Sequence, residues 1–525
     1  MLSVTASALL SACGSAGATN AAHDGAPRSG GTLTFALATD PTCLDPQQVG
    51  LNASLNIGRQ LVDSLIDQDP QSGEFKPWLA ESWQVNDTAT SFTFKLRQGA
   101  TFSDGTPVDA TAVKNNFDAV VKLGAKAALA ASYLAGYTGT TVVDPYTARV
   151  DFATPSAQFL QASSTMSLGL LSAASLAKTP EERCQGALIG SGPFTFGSYK
   201  ANQHVVIKRR AGYAWGSSLW KHTGEAYLDQ IDFRIIPESG VRAGSLSSGQ
   251  VSSISDVQPQ DESQFAGGGF STFVRGNPGI PFNLAPNTTR PILSEEPVRQ
   301  AIQKGINRAE VVTTVLSVNY KAATSALAAS TPGYTDLAKA LAYDPGGAKA
   351  LLDGAGWLPG ADGVRVKGGQ RLSVSVVFGA AFNGSQTVLE LVQQQLKTIG
   401  VELKLKLLTT GDLTKVQASG DYDFVWFNLT RADPDVLRTI YWTKASNRAY
   451  LKPGPLDEVL TKQASTTDSK LRGDAVGQAQ QQIIEHAYQI PVFELSQVHG
   501  LGATTKGLRF EASSRLTFFD TWLAG

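Results

Sequence analysis

Leu33, Phe35 and Leu37 alternate with polar or small residues in a short run that stops at Asp40-Pro41, the pattern of a half-buried strand. Ile57, Leu61, Val62, Leu65 and Ile66 form one stripe on a period of about 3.6 residues, which predicts a helix carried through to Ile66. Phe92, Phe94 and Leu96 alternate before the turn at Asp104-Gly105, and Asp109 is placed to cap a helix bearing Val113, Phe117, Val120 and Val121. Strand-like runs return at 205–207 and at Ile231, Phe233 and Ile235, with Gly- and Ser-rich stretches at 239–256 and 266–271. This half reads as mixed α and β without regular alternation.

The second half is more regular. Pro297 opens a helix whose buried face is Val298, Ile302 and Ile306, and Asn307 opens another through Val311, Val312 and Val315. Asp344-Pro345 starts a helix holding Leu351 and Leu352, with Gly356 at the left-handed stop. Leu372, Val374 and Val376 alternate; Val388, Leu391, Val392, Leu396 and Ile399 make a helical face ending at Gly400; Val401, Leu403, Leu405 and Leu407 alternate again. Strand, helix and strand with short connections predict a βαβ crossover and two parallel strands. A further strand at 424–428 leads into the polar loop 430–435, and in open α/β sheets ligands gather beyond the carboxyl ends of the strands. The fold class read from this pattern is α/β.

A length of 525 residues predicts about two to four domains with cores that need no metal or disulfide staples. Lys and Arg number 44 against 45 Asp and Glu, so no basic footprint points to nucleic acid. The five His and three Cys contain no pair at metal-ligand spacing. No G-x-S-x-G elbow, no phosphate loop and no G-x-G-x-x-G between strand and helix occurs. The paired acids Asp421 with Asp423 and Asp433 with Asp435 suit surface turns and a helix cap near Asp435 better than acid/base catalysis. No catalytic residue, metal ligand or cofactor is assigned; a secreted hydrolase built from distant residues stays as an alternative.

The chain starts with a small, apolar stretch closing on Leu10-Ser11-Ala12-Cys13-Gly14, although no Lys or Arg precedes it. This resembles the lipobox of bacterial lipoproteins, which implies a signal peptide over 1–12, lipidation of Cys13 and a flexible tether over 13–30; the alternative is an ordinary first helix. If Cys13 carries lipid, Cys43 and Cys184 remain, either as a bridge in an oxidising compartment or as two buried thiols.

Short patterns along the chain carry a second resemblance. They include Leu44-Asp45-Pro46, Leu79-Ala80-Glu81-Ser82-Trp83, Phe102-Ser103-Asp104-Gly105-Thr106-Pro107-Val108, Gly190-Ser191-Gly192-Pro193-Phe194, Tyr343-Asp344-Pro345, Ala355-Gly356-Trp357 and Asp433-Pro434-Asp435. In this order they resemble the solute-binding proteins of peptide and nickel type ABC importers, the oligopeptide- and dipeptide-binding family. The resemblance implies a two-lobed periplasmic-binding-protein-like fold. Lobe I would span 31–280 with an inserted subdomain at about 76–188, lobe II 285–490, and 491–525 would return to lobe I, with hinge strands near 280–284 and 492–495.

It further implies a monomer, held outside the cytoplasm by its lipid, that captures a peptide or other small polar solute and passes it to permease and ATPase subunits. A sensor or chaperone on the same scaffold is the other alternative. Asp45, Ser191 and Gly192 fall on family segments near the cleft, with Gly192 serving close backbone approach. Trp426, Asn428, Thr430, Arg431 and Asp433 fall on the loop where family members place aromatic residues and an acid for a peptide's α-amino group. Here Thr430 or a neighbour stands where that acid belongs; either Asp433 substitutes or a free amino terminus is not what is recognised. Arg431 would hold a carboxylate or phosphate, or else pair with Asp433 or Asp435 at the surface. Trp426 is core or ligand platform.

Overall fold

The alternating run around Phe35 folds as the strand Thr32–Leu37, and Leu33 and Phe35 are fully buried. The computed structural model describes residues 25–379, 382 and 384–525, so the expected leader, Cys13 and the tether up to residue 24 lie outside the described residues. Thr32–Leu37 is central in a seven-stranded sheet ordered Ser271–Gly276, Ser496–Leu501, Ser253–Ile254, Thr32–Leu37, Gln230–Ile235, His204–Arg209 and Phe194–Lys200. A separate four-stranded sheet, built from Ala80–Val85, Ser91–Leu96, Thr147–Phe152 and Tyr137–Asp144, packs with the helix Ala110–Leu123. Asp109 caps that helix by accepting the Ala112 N–H at 2.8 Å.

A six-stranded sheet organises the second half, in the order Lys321–Ala322, Ile490–Glu494, Gly279–Pro286, Phe424–Thr430, Ser373–Phe378 and Glu402–Leu407. The expected βαβ unit is present: Ser373–Phe378 and Glu402–Leu407 run parallel, joined by the helix Ser385–Lys397. Val388, Val392 and Leu396 are fully buried, and Gly400 turns the chain at a φ of 85°.

The chain passes from the first sheet to the second at residues 277–278 and returns at residue 495, where the Asn277 N–H donates to the Leu495 carbonyl at 2.7 Å. The resemblance implies a hinge strand near 280–284, and that segment belongs to the first strand of the six-stranded sheet, Gly279–Pro286, directly after the crossing. The break comes earlier because Pro278 has no N–H to offer a ladder and Gly279 takes a φ of 109°. Past the crossing, the chain closes the core of the first lobe: Leu516, Phe518 and Phe519 are fully buried, and the Phe518 ring meets Phe35 at 5.4 Å.

One local expectation differs. The first helix is Asn52–Leu61 and stops before Leu65 and Ile66, because the Leu61 carbonyl accepts the Gly192 N–H at 3.0 Å and Val62 is extended. Ile66 instead starts the short strand Ile66–Gln68. The Gly- and Ser-rich stretch 239–256 contains the helix Ser239–Ser247, fastened by Arg242, whose guanidinium donates to the carbonyls of Ile236, Pro237, Ser255 and Asp256. No helix among the described residues is long and apolar enough to cross a membrane.

Candidate functional site

Five of the residues singled out from sequence, Cys43, Asp45, Cys184, Ser191 and Gly192, sit in a dense structural knot of the first lobe. Cys43 and Cys184 are joined by a disulfide with an S–S distance of 1.96 Å. Beside it, Asp45 is fully buried; its carboxylate lies 3.3 Å from the Arg183 Nε and accepts from the Gln47 N–H at 2.9 Å and the Gln48 Nε2 at 2.7 Å. Burial pushes the Asp45 carboxyl up, opposed by Arg183. Ser191 is fully buried, its Oγ accepting the Asp63 N–H at 2.8 Å and donating to the Leu170 carbonyl at 3.3 Å. A Cβ on Gly192 would stand 2.5 Å from the Leu61 carbonyl carbon, so glycine is demanded by the approach of two backbones. The adjoining Asp63 carboxylate accepts from the Tyr213 hydroxyl at 3.1 Å and the Trp215 Nε1 at 2.9 Å, and burial raises it to about 7.

The five residues at the end of Phe424–Thr430 divide by depth. Trp426 is core: its indole N–H donates to Ser385 Oγ at 3.1 Å and its ring stacks 5.3 Å from Phe282. Asn428 is half-buried, with no side-chain partner among the described residues, and Thr430 Oγ1 accepts from Asn277 Nδ2 at 2.8 Å, beside the crossing. Asp433 pairs with Arg472 through both oxygens at 2.6 and 3.0 Å. Asp435 takes the N-cap position of Val436–Tyr441, but its carboxylate pairs with Arg438 at 2.7 Å instead of capping. Arg431 therefore pairs with neither acid.

Arg431 reaches across to the first lobe instead. Its guanidinium donates to Ser132 Oγ at 2.9 Å and Gln158 Oε1 at 3.2 Å, and to Thr439 Oγ1 at 2.9 Å on its own side, while lying 4.6 Å over the Tyr133 ring. Further contacts between the lobes surround it: Ala157 N–H to the Ala464 carbonyl at 2.9 Å, and Gln68 Nε2 to the Ala432 carbonyl at 3.4 Å.

Behind this contact the first lobe buries a group of charges that the sequence pattern did not single out. Arg59 stands 3.8 Å from Glu511 and 4.9 Å from the Trp78 ring, and Arg59 Nε, Trp78 Nε1, Gln68 Oε1 and Glu511 Oε1 are buried without a hydrogen-bond partner among the described residues. These four residues and Asp67 line a cavity of about 20 Å³, room for a water molecule. Burial raises the Glu511 and Asp67 carboxyls and lowers the Arg515 and Arg275 guanidiniums. Arg59 lies on the first helix and Glu511 near the C-terminus, so no short motif unites them. Among the described residues no cluster of His, Cys, Asp or Glu is suited to a metal ion.

The arrangement offers a polar, water-poor interface between two lobes joined by two short crossings, and comparison with known proteins finds the same architecture. A structure titled as NikA from Brucella suis in complex with Fe(III)-EDTA superposes with a TM-score of 0.82 at 24% identity, covering 94% of this chain and all of that one. A probable D,D-dipeptide-binding periplasmic protein, DdpA, of Escherichia coli is 26% identical over 506 residues, 93% of each chain. The glutathione-binding protein GsiB of Escherichia coli is 26% identical over 386 residues, 72% of this chain and 70% of that one. The profile of the bacterial extracellular solute-binding proteins, family 5 (middle region), matches residues 74–450. That match spans well over half of the sequence, and the chain belongs to this family of extracytoplasmic solute-binding proteins, whose members bind and do not catalyse.

Proposed function

We propose that this protein is the solute-capturing component of an ABC import system, taking a short peptide or peptide-like solute between its lobes. The observation that carries the reading is the interface around Arg431, where buried polar side chains from both lobes meet beside two crossing segments. In this reading lobe I comprises residues 31 to 276 with its subdomain and the returning 496–525, and lobe II comprises 279–494. Rotation about residues 277–278 and 495 opens the interface; closure excludes water and strengthens each hydrogen bond to a polar solute. The closed surface docks to a permease, and partner ATPases supply the energy. Lipid on Cys13 keeps the protein at the membrane. DdpA and GsiB, named for binding a D,D-dipeptide and glutathione, support a small peptide as the solute class.

Thermal unfolding in the presence of dialanine, D-alanyl-D-alanine, trialanine and glutathione tests the reading. A binder at a hundredfold excess over its Kd should stabilise the fold by about 2.7 kcal/mol and raise the Tm accordingly. No shift with any peptide, together with a shift from an oligosaccharide or metal chelate, would move the solute class while keeping the family. Turnover of a peptide or glycoside by the purified protein would replace the binding reading with a hydrolase.

A further inference from the structure

Gln68 ends the short strand Ile66–Gln68, and the two ends of its carboxamide are treated differently. Its Nε2 donates to the Gly73 carbonyl at 3.1 Å and to the Ala432 carbonyl of the opposite lobe at 3.4 Å. The hairpin that carries it, Ile66–Gln68 paired with Phe75–Pro77, meets that lobe a second time, since a Cβ on Gly73 would stand 3.1 Å from Pro332 Cγ. At the hairpin tip the Pro70 carbonyl accepts from Arg275, two residues before the crossing, at 2.5 Å. The Gln68 Oε1, by contrast, is buried with no partner among the described residues.

Gln68 shares the cavity of about 20 Å³ with Arg59 and Glu511. Most of the polar atoms on its wall are already engaged. Asp67 accepts the Gln68 N–H at 2.8 Å through one oxygen and the Ser217 hydroxyl at 2.5 Å through the other. Arg509 is held by the Leu219 carbonyl and by Asp520, and the Trp78 indole N–H is drawn toward the Tyr213 hydroxyl. That leaves Arg59 Nε, Gln68 Oε1 and Glu511 Oε1, one donor and two acceptors, buried and unpartnered among the described residues. Arg59 and Glu511 stand 3.8 Å apart, and the Arg59 guanidinium lies 4.9 Å from the Trp78 ring that walls the same space.

A cavity of this size holds about one water molecule, and the three atoms select for it. Water accepts from an N–H and donates two O–H groups, whereas an anion would face two acceptors and a cation would face the Arg59 N–H. We propose that the cavity is a resident-water site, in which one water accepts from Arg59 Nε and donates to Gln68 Oε1 and Glu511 Oε1, and that this water fixes the Gln68 carboxamide in the orientation that bridges the lobes. The amide turned over would set its oxygen against the Gly73 and Ala432 carbonyls and its NH₂ against the Arg59 N–H. With the water in place, Oε1 is satisfied on the cavity side and Nε2 is committed to the opposite lobe. The contact at Ala432 and the buried Arg59–Glu511 pair become one network, whichever solute the protein carries.

Crystals of the intact protein without solute, diffracting well enough to show ordered water, should hold one peak bonded to all three atoms. In solution, oxygen-17 relaxation dispersion of the water signal counts long-lived internal waters. Gln68→Met keeps the length of the side chain and removes both polar ends, so it should lower that count by about one and raise the radius of gyration measured by small-angle scattering. Gln68→Glu keeps an acceptor for the water but turns a second oxygen on Gly73 and Ala432, so it should raise the radius with the count unchanged. A dry cavity in the unmodified protein would overturn the proposal, and because that result needs no variant it stands even if one fails to fold. A peak with the coordination of a metal cation would overturn the water assignment. Water in place, with a radius that neither variant moves, would overturn its role in bridging the lobes.

Discussion

Arg431 shows how little a residue's sequence neighbours say about its partners. Asp433 and Asp435 are two and four positions away, yet each is taken by an arginine farther along the chain, and Arg431 spans the lobes. Asp63 is a second case, a carboxyl hidden under Tyr213 and Trp215. In the unfolded chain it ionises near pH 4, in the folded protein near 7. Between those values the folded state holds a proton that the unfolded state has lost, so stability falls as pH rises through this window. The Tm should therefore decline from pH 5 to pH 8, and Asp63→Asn should flatten the decline. An unchanged slope would assign it to the other raised buried acids, Asp45, Asp67 and Glu511.

At the scale of elements, legibility follows period and length. The βαβ unit around Ser385–Lys397 could be read directly, because its strands alternate, its helix keeps one face and Gly400 marks the stop. The end of Asn52–Leu61 could not, since it is decided by Gly192, which lies 131 residues beyond Leu61 and whose N–H takes the last carbonyl. The same holds for the candidate site: the loop after Phe424–Thr430 was visible, while Arg59 meets Glu511 only through tertiary packing. Gly192→Ala should cost about 1–3 kcal/mol, read as a lowered urea midpoint, because the new methyl meets backbone atoms that have nowhere to move. A midpoint equal to wild type would mean that the first helix and the 190–194 segment separate easily. The Cys43–Cys184 bridge closes a loop with a sequence separation of 141. Replacing both by Ser should lower stability by about 2–4 kcal/mol and make the protein indifferent to reductant. A reductant response that persists in the double variant would point away from this bridge.

For the whole molecule, the lobes are held by the contact around Arg431 as well as by covalent continuity at 277–278 and 495. Arg431→Ala should loosen that contact and enlarge the radius of gyration of the protein without solute, measured by small-angle scattering. An unchanged radius would show that the remaining contacts, such as Ala157 with Ala464, suffice. The return of the chain at residue 495 also sets an order of assembly. Residues 279–494 hold the whole six-stranded sheet in one unbroken stretch, so that lobe can fold as soon as the stretch has been delivered. The other lobe begins first and finishes last, because Phe35 waits for Phe518 and the strand Ser271–Gly276 waits for Ser496–Leu501. A chain threaded N-terminus first through a membrane therefore keeps its leading half incomplete until its final residues emerge, and remains pliable for the length of its passage.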